Sequence, residues 1–130
     1  MSKRSSKTSE AAAAYRSLID AAVEQARGTA LSDWIEKKRI YSKAPAHRRF
    51  NAFIRSLSAE QRKLLADLLR EERQSTIHDV FAHWTWWIVC KGLGFTLNKK
   101  PMPVDLSGMG LHGDFIGRLA NWEWPDDGAV

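Results

Sequence analysis

Cysteine is nearly missing from this chain. Cys90 stands alone among 130 residues, so no internal disulfide can form. No apolar run approaches the roughly 20 residues that a membrane-spanning helix needs. No leader-like segment precedes the first amphipathic stretch, and with the lone cysteine this leads us to expect a reducing, cytoplasmic setting. Internal repeats are absent, and the alanine run at residues 11–14 is simply good helix former. Acidic residues are scarce between positions 36 and 63. Only Glu36 and Glu60 stand there against Lys37, Lys38, Arg39, Lys43, Arg48, Arg49, Arg55, Arg62 and Lys63.

What is present suits one helical domain. At 44% hydrophobic the chain can bury a core, and its length fits a single domain. Residues 1–8 read as a basic, disordered tail, residues 9–124 as the domain, and residues 125–130 as a frayed end. Tyr15, Leu18, Ile19, Ala22, Val23 and Ala26 give a helical stripe that Gly28 stops. Residues 29–40 form a shorter helix, with Leu31, Trp34 and Ile35 inward. Residues 46–57 form another, with Phe50, Phe53, Ile54 and Leu57 inward and Arg48, Arg49 and Arg55 toward water. After Lys91, Gly92 and Gly94 end the helix, Phe95 to Leu97 reads as extended, and Pro101 and Pro103 exclude helix. A final short helix is expected over 114–122. The fold class is all-α, four or five helices around a central one, with an irregular Gly/Pro-rich C-terminal segment docked on it.

The central helix, Ala59–Lys91, starts at a capping box formed by Ser58 and Gln61. It holds two of the four histidines, three of the six tryptophans and the cysteine. Stepping about 100° per residue from Leu65 leads to Glu72, Thr76, Asp79 and His83, with Trp87 and Cys90 following. A second apolar line runs through Ile77, Phe81, Trp84 and Ile88. Two readings follow. An unbroken helix, roughly 50 Å long, keeps its leucine stripe buried and encloses the polar residues as a hydrogen-bonded cluster, because unpaired burial would cost about 2–7 kcal/mol per group. A helix kinked near Ser75 shifts the buried stripe to Ile77, Phe81, Trp84 and Ile88, and turns the acids to water.

Gly108, Gly110 and Gly113 fit G-x-G-x-x-G, but Pro101 and Pro103 spoil a preceding strand and no second strand or ribose-binding acid can follow, so a dinucleotide is excluded. A lone anion at the helix start is the weaker reading. Glu72, Asp79, His83 and His112 form a ligand-pocket candidate, and Asp79 with His83, joined by His112 or Asp114 from the tail, a divalent-metal candidate. No H-x-x-x-H or E-x-x-H pair supports the metal. Cys90, beside Ile88 and Val89, reads as a buried structural thiol. Trp84 reads as core, whereas Trp86 and Trp87 are expected to line a cleft under the Gly-rich tail.

No complete catalytic constellation is present. The expectation is a non-enzymatic interaction or regulatory module without a cofactor. It would contact a protein partner, or itself as a homodimer, through the Trp-rich region. One alternative is a nucleic-acid accessory protein using Lys37, Lys38, Arg39, Arg48, Arg49 and Arg55. The other is a metal- or small-ligand-binding helical bundle, a candidate enzyme, centred on Glu72, Asp79 and His83.

Overall fold

The computed structural model describes the backbone of residues 2–28 and 30–125, and the side chains of residues 10–28 and 30–125. Among the described residues the fold is all-α apart from one two-stranded hairpin. Its helices are α1 (Ser2–Ala26), α2 (Ala30–Asp33), α3 (Arg48–Ser56), α4 (Ala59–Lys91) and α5 (Gly110–Leu119). The two strands are β1 (Thr96–Leu97) and β2 (Lys100–Pro101). It divides into two compact units, one made of Met1–Gln25 with Thr76–Val130, the other of Ala26–Ser75. Residues 126–130 lie outside the described residues, and with them most of the expected frayed end.

The terminal unit is built on α1, the second half of α4, and α5. Tyr15, Ile19 and Val23 recur every four residues, so they share one face of α1, and all three are buried. Leu18, expected in the same stripe, is 43% exposed. The helix begins at Ser2, so it takes in the stretch expected to be an irregular tail. Phe81 of α4 meets Phe115 of α5 edge-on, with ring centroids 5.7 Å apart, and Leu111 and Phe115 are wholly buried. The antiparallel hairpin pairs Thr96 with Pro101 and Leu97 with Lys100. Asn98 and Lys99 form its turn, both with positive φ, the geometry that matches the twist of adjoining strands.

The middle unit holds α2, α3 and the first half of α4. The helix expected over 29–40 is shorter and wider: α2 gives way to a π-turn, Trp34–Lys38. Left-handed Arg39 closes it, donating its amide to the Trp34 carbonyl. A 3-10 turn at Pro45–His47 leads into α3. Only Asn51 and Ile54 of α3 are buried, so Phe50 (41% exposed) and Phe53 (57%) do not close the core as expected. Asn51 takes the inward position because it ties down the connector. Its side chain accepts from the Tyr41 amide at 2.7 Å and donates to the Ser42 carbonyl at 2.8 Å.

Helix α4 is continuous for 33 residues, and its start follows the capping-box expectation. The Ser58 hydroxyl accepts from the Gln61 amide (3.2 Å), while the Gln61 side chain accepts from the Ser58 amide (2.9 Å). Continuity does not bury the leucine stripe, which corrects the first of the two readings. Leu64 and Leu68 are 68% and 64% exposed. Beyond Thr76 the positions shielded from water, within α4, are Ile77, His78, Phe81, Ala82, Thr85 and Ile88. Ile77, Phe81 and Ile88 match the stripe expected of a kinked helix, without a break, while Trp84 of that stripe stays 38% exposed. The two halves of α4 belong to different units, and each half buries its own set of positions.

Candidate functional site

The polar residues of α4 keep the common side that helical spacing assigns them, but that side faces water. Glu72, Thr76, Asp79, His83, Trp87 and Cys90 are all exposed, so the enclosed cluster is not formed and Cys90 is not a buried thiol. The interactions are local. Asp79 Oδ1 meets His78 Nδ1 at 3.0 Å, and the Trp87 indole N–H donates to His83 Nε2 at 3.1 Å. Asp79 and His83 are thus each engaged by a different neighbour. Among the described residues no three His, Cys, Asp or Glu gather where they could hold a metal ion.

His112 is brought to α4, though not to His83. Its ring lies edge-on to His78, centroids 5.3 Å apart, and its Nδ1 is 3.4 Å from the Thr85 hydroxyl. The glycine-rich tail therefore docks along Phe81, Thr85 and His78. Trp86 and Trp87 do not line a cleft beneath it. They remain 50% and 42% exposed, and pack edge-on against each other at 5.6 Å. The Lys91 ammonium sits 5.7 Å from the Trp86 ring centroid, within cation–π range. Trp84 leans on Phe81 and Phe95 yet is 38% exposed, so its expected place in the core is only partly filled. With Val80 (43%) and Val89 (75%), these indoles leave much of α4's outer side apolar.

The loop that resembles a dinucleotide fingerprint is held by the chain's own acids. Asp114 is wholly buried. Its carboxyl accepts from the Leu106 amide (2.7 Å), the Ser107 amide (2.6 Å) and, at short range, the Tyr15 hydroxyl. The Asp105 amide donates in turn to the Tyr15 hydroxyl (3.1 Å). Asp105 Oδ1 accepts from the Gly110 amide (2.5 Å), and the Thr85 hydroxyl accepts from the Leu111 amide (3.0 Å). These last two amides open α5. An isolated anion at this helix start, the weaker reading of the glycine loop, would have to displace ligands already built in. They also explain why α5 begins four residues earlier than expected. Burial first, and then the bond to Asp114, push the Tyr15 hydroxyl well above its ordinary value of 10.0. The cluster is a clamp, and Asp114 is not poised to bind a metal.

The C-terminal indoles close the same unit against α1. Trp124 donates to Asp20 (3.2 Å), and Arg118 binds Asp20 (2.7 Å) while lying 5.4 Å from the Trp124 ring centroid.

In the middle unit Lys37, Lys38, Arg39, Arg48, Arg49 and Arg55 are all exposed. Twelve Lys and Arg face six Asp and Glu in Ala26–Ser75, a surplus of six positive charges. The same unit has a feature the sequence reading missed: an open apolar cavity of about 310 Å³ lined by Ile35, Tyr41, Phe50, Phe53, Ile54, Leu65 and Leu69. The available signal was the excess of apolar residues on α3 and α4 over what one small core can absorb.

The chain thus defines a small all-α protein with an exposed aromatic face on α4. It belongs to a family of unknown function, DUF6547, whose match covers residues 8–126. No curated protein and no solved structure matches it.

Proposed function

We propose that this protein is a non-enzymatic interaction module that binds a protein partner through the outer side of α4 in the terminal unit. The carrying observation is the exposure of Trp86 and Trp87, together with Val80 and Val89, on a helix whose other side already fills a core. Indoles left at the surface supply large, rigid contact area and are enriched among the residues that dominate binding energy. Asp79 and His83 fall between the two indoles on the same outer side and Lys91 lies just beyond Trp87, all three exposed, so a partner would meet polar groups among the aromatic ones. The test is a photo-crosslinking amino acid placed at Trp87 in the full chain in cells, with Lys99 in the hairpin turn as the control position. A discrete adduct at 87 but not at 99 supports the reading. A diffuse ladder, or adducts equal at both positions, overturns it.

A second reading is favoured by the charge surplus of the middle unit: nucleic-acid binding through Arg48, Arg49 and Arg55 with Lys37, Lys38 and Arg39. Each phosphate contact would contribute a slope of about −0.9 in log affinity against log salt. Oligonucleotide binding that is absent even at low salt, or that survives charge reversal at the three arginines, would exclude it.

A further inference from the structure

The middle unit presents both halves of a self-complementary joint, and we infer that a second copy of this chain docks there, α4 against α4 in antiparallel sense. This joint lies on a different surface from the tryptophan face and does not depend on it.

The cavity between α3 and α4 is a groove with apolar walls, Phe50 and Phe53 on one side and Leu65 and Leu69 on the other. Its α3 rim is basic, since the Arg49 guanidinium lies 4.9 Å from the Phe50 ring centroid. Such a groove fits an apolar helical ridge flanked by acids. The chain displays that ridge itself. Leu64 and Leu68, four residues apart, stand on one edge of α4, 68% and 64% exposed. Taking Leu64 as the origin and about 100° per residue, Leu68 lies roughly 40° around. Glu60, Asp67 and Glu71 follow within about 60° on the other side of Leu64. Leu65 and Leu69, the groove wall, lie at about 100–140°. Ridge and groove are therefore neighbours on the same helix.

That arrangement is the requirement for an isologous contact, in which each copy offers what the other receives. With two α4 helices antiparallel, Leu64 and Leu68 of each chain enter the groove of the other, and Glu60 and Glu71, beside an Asp67 already paired with Arg70 at 2.6 Å, meet the partner's Arg49. Leaving two leucines and two phenylalanines open to water on so small a unit is costly, at roughly 25 cal/mol per Å² of apolar surface. Covering them in pairs removes that cost on both chains at once.

Sedimentation equilibrium of the full chain tests this. Wild type is expected to be dimeric at tens of micromolar, and Leu64→Glu with Leu68→Glu to weaken association at least 100-fold. Arg49→Glu and Glu71→Arg are each expected to weaken it about tenfold, and their combination to restore it, which a mere folding defect cannot do. In a Cys90→Ser background, Leu68→Cys should be joined into a covalent dimer by a short thiol crosslinker. A wild type that stays monomeric to millimolar concentration overturns the inference, and so does a dimer indifferent to the leucine and charge changes. A dimer abolished by Trp86→Ala and Trp87→Ala would move the joint to the other unit, and a groove that takes an acidic helical peptide while the chain stays monomeric would reassign the occupant. Either result refutes it.

Discussion

Replacing Asp114 with alanine should be among the most damaging single changes in the terminal unit. The side chain is wholly buried, and its removal strands three donors: the Tyr15 hydroxyl and the amides of Leu106 and Ser107. A buried donor left without an acceptor costs about 1–3 kcal/mol. With some relaxation of the 105–110 loop the total is about 3–5 kcal/mol, a large share of the roughly 5–15 kcal/mol that holds a domain of this size. At about 3–5 °C per kcal/mol for this length, Tm should fall by roughly 10–20 °C. Asp114→Asn keeps the shape and one acceptor oxygen, so about half that loss is expected. Urea unfolding followed by tryptophan fluorescence and by circular dichroism measures both. A loss below about 1 kcal/mol for Asp114→Ala would refute the view that this carboxyl organises the loop and the start of α5.

Further expectations follow from the same contacts. The pKa of Tyr15 is raised in the fold, so its stabilising effect is complete below pH 10 and fades as pH rises through the higher folded value; Tyr15→Phe should lose stability at pH 7 and show a flatter decline above pH 10 in alkaline melts. Gly110→Ala should cost about 2 kcal/mol or more, because φ is +87° and a methyl group would sit 2.6 Å from His112 Cε1 and 2.8 Å from Thr85 Cγ2. Gly92→Ala, at φ +73° but with nothing within 4 Å, should cost about 1 kcal/mol. Asn51→Leu leaves the Tyr41 amide and Ser42 carbonyl unmatched and should cost about 2 kcal/mol in thermal melts.

Much of the helical framework was legible because its signals are local. Ser58 and Gln61 mark a helix start through a bond three residues long, and Gly28 and Gly92 stand just beyond helix ends. What periodicity cannot supply is which side of a helix faces a neighbour. It places Thr76, Asp79 and His83 on one side of α4, correctly, but only the packing of Phe81 on Phe115 and of Leu111 against Thr85 turns that side outward. Asp114 carried no sequence mark of its role, because its partner Tyr15 lies 99 residues away. The opening of α5 was missed for the same reason: Thr85, 26 residues upstream, caps Leu111. Phe50 and Phe53 were assigned inward by spacing, and the buried Asn51 shows why spacing was insufficient. The connector's backbone needed a polar group where the pattern suggested an apolar face.

The central claim is that the outer indoles of α4 carry binding. The direct measurement is a titration of the partner captured at position 87, purified, against wild type and against Trp86→Ala with Trp87→Ala. Interface tryptophans are worth about 2 kcal/mol or more each, so removing both should lower affinity by roughly several hundred-fold while Tm and helix content stay near wild type. Equal affinity for both proteins would contradict the account.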